Sequence, residues 1–292
     1  MTLINILPWI QQAQREGWAV GAFNAVNMEQ AQAIAWAAEA EQAPAIIQVS
    51  HRALLYAGDG SAERGLHMLA SIGWAAAESV SVPISLHLDH ASAAEVELAL
   101  ELGFTSVMFD ADGLPLDENL AITRRLAAGA HAREVCVEAE VGDVPKPLGG
   151  EVADPRAGLT EPADAQRFAA ASGVDTLAIA IGSVHSGKAK TFALDLDRLQ
   201  AIRARVALPL VLHGSSGVTD ASLSAGIALG LAKINISTQL SQGFTAGTRA
   251  ALERSPAEVD LRPYLGAGRA AMTGVVRERI RFLGSSGKYN GR

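Results

Sequence analysis

The chain has 292 residues, 49% of them hydrophobic and 19% charged, which excludes an intrinsically disordered protein. Its net charge of −7 argues against a nucleic-acid binder, which usually needs a basic face, and its single Cys136 excludes an internal disulfide or a cysteine-built zinc motif. No apolar run reaches the ~18 residues of a membrane span, and the N-terminus lacks the basic start and apolar stretch of a signal peptide, so the expectation is a cytoplasmic protein with no membrane partner.

Short β-rich runs alternate with longer helical stretches. The expected strands are Ala19–Asn24, Ala45–Val49, Ile84–Leu88, Ser106–Asp110, Val135–Glu140, Thr176–Ile181, Leu208–His213 and Lys233–Ile236. Most are near-continuous apolar runs, as in parallel strands buried on both faces. Helices are expected at Met28–Glu41, Ala91–Leu102 and Glu161–Ser172; the last has Pro162 in its first turn and Gly173 beyond its end. Repeated strand–helix alternation with right-handed crossovers predicts an α/β fold, a closed (β/α)8 TIM barrel. An open doubly wound sheet is the alternative, weakened because no G-x-G-x-x-G follows the first strand. One domain is expected over residues 1–283, with helices at its C-terminal end, followed by a flexible, Gly-rich tail over 284–292.

In such a barrel, ligands bind where strands end and βα loops begin. The expected strands end at or run into Asn24, Ser50, Asp89-His90, Asp110, Glu140, Gly182-Ser183, His213-Gly214 and Asn235. His90, His185 and His213 follow or end three different strands and could form a metal site with open positions. Satisfied or surface histidines are the alternative. His87 lies within a strand and suits a hydrogen-bonded core role; Cys136 reads as an inert core thiol. Asp89 could exchange a proton with substrate or orient a histidine. Asp110 and Glu140 could offer another metal position, hold the histidines, or be structural. Two Gly/Ser loops, Gly182 to Lys188 and Gly214 to Gly217, with Asn235 to Thr238 nearby, suggest a phosphorylated ligand.

The ordered set of segments is similar to the class II, metal-dependent ketose-bisphosphate aldolases, the fructose- and tagatose-bisphosphate family, and most resembles the shorter tagatose-type branch. The matching pieces include Ala22-Phe23-Asn24, Ile46 to Ser50, His87-Leu88-Asp89-His90 and Ser106 to Asp110. They continue through Val137 to Gly142, Ala180 to His185, Leu210 to Gly217 and Lys233 to Thr238, covering nearly the whole chain. The resemblance implies Zn²⁺ on His90, His185 and His213, with a monovalent cation as a second ion to consider. It implies that Asp89 handles the C4 hydroxyl proton as the C3–C4 bond of a ketose 1,6-bisphosphate breaks, releasing dihydroxyacetone phosphate and an aldehyde. Gly182, Gly214, Ser216, Asn235 and Thr238 would cradle the C1 phosphate, and Asn24 and Ser50 would complete the substrate pocket. Arg262 would reach a neighbouring subunit's distal phosphate, so a homodimer or homotetramer is implied; Leu261 stands where the family usually has Pro.

The segment after the fifth strand, VGDVPKPLGGEVADPRAGLTEP, keeps Gly149-Gly150-Glu151 but lacks the family's paired acids. Glu151 is the expected second proton shuttle and Asp154 the runner-up. A ketose 1-phosphate with another tail is an alternative substrate. A non-catalytic subunit of a tagatose-bisphosphate aldolase, or an accessory partner for this chain, is the competing class. A metal-dependent barrel hydrolase ranks last, because strands one and eight end in Asn24 and Asn235.

Overall fold

The structure, a computed structural model, describes residues 3–111, 113–145, 154–185 and 189–291. Its elements run α1 (Leu7–Glu16), β1 (Val20–Asn24), α2 (Met28–Ala40), β2 (Ala45–Ser50), α3 (His51–Ala57), α4 (Ala62–Glu78), β3 (Ile84–Ala91) and α5 (Ala93–Glu101). They continue with β4 (Ser106–Phe109), α6 (Leu116–His131), β5 (Cys136–Val141), α7 (Pro162–Ala171), β6 (Thr176–Ile179) and α8 (Leu196–Arg203). The last are β7 (Leu210–Leu212), α9 (Asp220–Ala228), β8 (Leu231–Ile236), α10 (Thr238–Arg254) and α11 (Leu261–Phe282). All eight strands are parallel and pair in chain order, with β8 closing on β1. This is the expected (β/α)8 barrel. Among the described residues, no helix is long and apolar enough to cross a membrane.

Local chemistry starts the helices where the chain needs them. Asn27 caps α2, and Ser92 with Glu95 forms a capping box at α5, each satisfying backbone N–H groups that the first helical turn leaves without partners. β6 is shorter than expected because Ala180 leaves the ladder: its N–H donates to Thr160 Oγ1 at 2.7 Å, and its carbonyl accepts from Thr160 N at 2.9 Å.

The strands are less uniformly apolar than their composition suggests. Leu86, Leu88, Val107, Val137 and Ile234 belong to the large core between strands and helices. The alternate positions point into the barrel, and there the middle layers are polar: His87, Ser106, Glu138, Thr176 and Lys233 are all buried. The lower mouth is closed by apolar groups, with Ile6, Ile10 and Trp18 packed on Val20, Ala22 and Ile46.

The C-terminal tail departs from expectation. Ser285 is fully buried, Gly287 N donates to Glu41 O at 2.8 Å, and Tyr289 N donates to Gln42 O at 3.0 Å. The residues up to Tyr289 are therefore anchored rather than a loose tail, because carbonyls just past the end of α2 need donors. Glu41 completes this clamp: its carboxylate accepts from Arg277 Nε at 2.7 Å, Arg281 Nη2 at 2.7 Å and Ser286 Oγ at 2.9 Å. Burial raises the Glu41 carboxyl, but the Arg281 and Arg277 bonds outweigh it and bring it from the ordinary 4.5 down to about 2. Folding thus favours the ionised form. Its stabilisation is full above pH 4.5 and is lost as pH falls from there through about 2. Glu41→Gln is expected to cost about 2 kcal/mol at neutral pH, allowing for the solvent-exposed arginines, and to flatten the acid limb of stability between those values. Urea titrations at several pH values test this; an unchanged acid limb would refute it.

Candidate functional site

Three imidazoles converge at the upper mouth. His90 comes from β3, His185 from the loop after β6, and His213 from the end of β7, with one nitrogen of each lying within 4.8 Å of the others. His90 faces the mouth because of a backbone irregularity. In a regular strand Asp89 and His90 would point to opposite faces. Here the β3–β4 register shifts between Leu88 and Ala91, and His90 has φ 51°, a left-handed conformation rare for a side chain with a Cβ. That bulge turns both neighbours toward the site.

Carboxylates set the imidazole roles. His90 Nδ1 bonds Asp110 Oδ2 at 2.8 Å, and His213 Nε2 bonds Glu138 Oε1 at 3.0 Å. With those nitrogens donating, His90 Nε2 and His213 Nδ1 turn lone pairs toward each other at 3.1 Å. Two facing lone pairs repel unless a proton or a cation lies between them. Glu140 Oε2, at 3.2 Å from His213 Nδ1, adds negative charge at the same point. Burial lowers the His213 imidazole, but its bonds to Glu138 and Glu140 outweigh this and raise it to about 10. His90 is raised likewise: burial opposes, and the Asp89 charge and the Asp110 bond prevail. The donor set therefore suits a divalent cation held by three imidazoles, one nitrogen of each within 4.8 Å of the others and two of the rings oriented by an acid behind them.

Behind the imidazoles lies a buried polar chain. Glu138 accepts from Lys233 Nζ at 2.9 Å, and Lys233 also donates to Asn235 Oδ1 at 2.8 Å. Asn235 Nδ2 in turn donates to Asp89 Oδ1 at 3.3 Å. Burial raises the Glu138 carboxyl, but Lys233 and His213 outweigh it and hold it far below its usual range. Lys233 is so committed to Glu138 and Asn235 that a Schiff-base role does not suit it. His87, completely buried, bonds Ser106 Oγ at 2.7 Å, and burial followed by the Lys233 charge keeps it neutral. Cys136 is buried and its thiol is pushed up, chiefly by burial.

A cavity of about 470 Å³ opens above the imidazoles. Asn24, Ser50, Asp89, His90, Asp110, His185, Gly214, Ser216, Asn235 and Thr238 all line it, so most of the expected site residues meet there. Gly214 has φ 66°, and a Cβ on it would lie 2.8 Å from the Val184 backbone, so only glycine lets the two loops touch. Gly182 lines a separate groove with Leu159 and Phe192, and Glu140, though its Oε2 is 3.2 Å from His213 Nδ1, also lines a groove with Asn119 and Asp143. Arg262 is 90% exposed and bonded to Asp260 at the start of α11. Asp154 lies in an exposed turn and accepts from Arg156 N at 2.9 Å, and Glu151 lies outside the described residues. Sequence reasoning missed the orienting role of Glu138, although the charge pair it makes with Lys233 inside two apolar strands was a usable signal. It also passed over Gln48 and Arg52, which line the cavity.

The chain matches the family model described as fructose-bisphosphate aldolase class-II over residues 4–288. It is 37% identical to the fructose-bisphosphate aldolase of Streptococcus pneumoniae serotype 4, covering 99% of this chain and all of that one. It is also 37% identical to the fructose-bisphosphate aldolase of Geobacillus stearothermophilus, over 99% of each. Among solved structures, the YdjI aldolase of Escherichia coli K12 superposes with a TM-score of 0.81 at 30% identity, covering 99% of this chain and 100% of that one. With these full-length matches, the barrel and its mouth of three imidazoles belong to a member of the class II fructose-bisphosphate aldolase family.

Proposed function

We propose that this chain catalyses reversible, metal-dependent cleavage of the C3–C4 bond of a ketose 1,6-bisphosphate of the fructose or tagatose type. The products are dihydroxyacetone phosphate and glyceraldehyde 3-phosphate. The observation that carries this reading is the convergence of His90, His185 and His213 beside Asp89. Zinc held by the three imidazoles supplies a fixed positive charge beside the fragment that becomes negative as the bond breaks. Asp89, 5% exposed and hydrogen-bonded by Asn235, takes the C4 hydroxyl proton. The C4–O bond then becomes a carbonyl, and the C3–C4 electron pair passes to the C3 fragment. A proton returned to C3 completes dihydroxyacetone phosphate; Glu151 is proposed as its donor. Gly214, Ser216, Asn235 and Thr238, which line the cavity, would present backbone, hydroxyl and amide donors to the C1 phosphate, and Gly182, in the loop after β6, is proposed to join them. Assembly as a homodimer or homotetramer is part of the same proposal.

The test is dihydroxyacetone phosphate release from fructose and tagatose 1,6-bisphosphates before and after chelation. Chelator is expected to lower the rate by roughly 100-fold or more, with zinc restoring it. The rate ratio between the two sugars assigns the preferred C4 configuration. Release untouched by complete metal removal, or none from either sugar by the zinc-loaded chain, would overturn the proposal.

A further inference from the structure

We propose that Lys233 is a positioning residue for the proton transfer, acting through the Asn235 amide to fix how Asp89 meets the C4 hydroxyl. This inference rests on the aldolase reading above, in which Asp89 takes that proton. Lys233 is the one buried lysine among the described residues, and it stands inside the barrel two residues before Asn235 on β8. Side chains two apart on a strand share a face, so the Asn235 amide lies one layer nearer the mouth. The Lys233 ammonium lies 2.9 Å from Glu138 Oε2 and donates to Asn235 Oδ1 at 2.8 Å.

The donors and acceptors along this chain permit one arrangement. An ammonium can only donate and a carboxylate can only accept, while a side-chain amide carries a group of each kind. With Oδ1 held by Lys233, Asn235 turns Nδ2 toward Asp89 and donates to its Oδ1 at 3.3 Å. Among the described residues this is the one hydrogen bond that the Asp89 carboxylate accepts. The Asn235 backbone is pinned separately, its carbonyl accepting from Ser215 Oγ at 2.5 Å. The side chain is therefore the part that Lys233 decides. Without the ammonium the amide is free to reverse, and its oxygen would then face an Asp89 oxygen and push the carboxylate away. On its other side Lys233 pairs with Glu138, which bonds His213 Nε2 through Oε1. One ammonium thus ties the proton acceptor and an imidazole of the metal site to a single fixed point. Such spacing matters because a misplacement of about 1 Å can cost roughly 100-fold in rate.

Lys233→Met alone would strand the Glu138 carboxylate, so the test is run where that charge is already gone. Glu138→Gln is compared with Glu138→Gln/Lys233→Met, both as full chains at saturating zinc with metal content measured in each sample. Dihydroxyacetone phosphate release from the preferred ketose 1,6-bisphosphate gives kcat, and urea unfolding gives the midpoint. The second substitution is expected to raise the midpoint, because it removes a stranded cation, and yet to lower kcat by roughly 10- to 100-fold. A purely structural lysine gives no reason for kcat to fall as stability rises, so a kcat within about threefold of the single variant would overturn the proposal. Repeating the pair with Asp89→Asn closes a mutant cycle: the cost of Lys233→Met should shrink to less than about threefold once Asp89 cannot act. An equal cost in both backgrounds would show that Lys233 does not work through Asp89. Crystal structures of the two zinc-loaded variants read the contact without turnover. The Asn235 amide should stay within hydrogen-bond distance of Asp89 in the single variant and turn away in the double one; the contact kept in both would overturn the proposal. A chain inert on every ketose bisphosphate, wild type included, would sink the aldolase reading, while the crystal comparison would still judge Lys233.

Discussion

Asp89→Asn is expected to lower kcat for ketose bisphosphate cleavage by roughly 10²- to 10⁴-fold while the chain still binds one zinc. The substitution keeps the shape of the side chain and removes its ability to accept a proton as a carboxylate. Asp89 lies 4.0 Å from His90 Nε2 and is not among the three converging imidazoles, so metal content should survive. Dihydroxyacetone phosphate release under saturating substrate, paired with zinc analysis of the same preparation, separates the two effects. A kcat within about tenfold of wild type would remove Asp89 from the proton transfer. Lost zinc with lost activity would instead make it a support for the histidines.

Glu138→Gln is expected to produce the largest loss of stability, about 3–5 kcal/mol. Lys233 and Glu138 are each 1% exposed, and their ion pair spans the barrel interior. Removing the carboxylate leaves the Lys233 ammonium without its counter-charge in a place water cannot reach. The same change replaces the carboxylate facing His213 Nε2 with a neutral amide, so zinc affinity should fall by roughly 10- to 100-fold as the ring loses its charged acceptor. The double variant Glu138→Gln with Lys233→Met removes the stranded charge. It should recover much of the stability and none of the zinc affinity. Denaturant unfolding of the metal-free chains and competitive zinc titration measure the two quantities independently. A double variant no more stable than the single one would show that the pair is not the source of the loss.

The strand–helix alternation and the polar residues at strand ends were readable because both are local. Period, capping residues and the apolar runs of Ile46 to Val49 or Leu210 to Leu212 act over a few residues. The interior was misread for a related reason. Leu86-His87-Leu88-Asp89 looks mostly apolar as a run, yet its alternation sends the leucines to the helices and the polar groups to the lumen. Arg52 carried no local signal, since an arginine near the start of a seven-residue helix reads as ordinary surface. The anchored tail was equally hidden: GSSGKYN has the composition of a loose end, and only the carbonyls beyond α2 give it partners.

The sequence alone determined which elements form, their order, the barrel class and the three histidines as a possible ligand set. Tertiary structure alone decided that His90 and His213, 123 residues apart, meet at 3.1 Å, and that Glu138 meets Lys233 across the lumen. It also decided that a bulge turns His90 beside Asp89, and that Arg52 lines the cavity. The physical reason is that separation along a chain carries no information about separation in space until the sheet closes. Closure fixes which strand ends face one another, and only then do burial and charge select the partners.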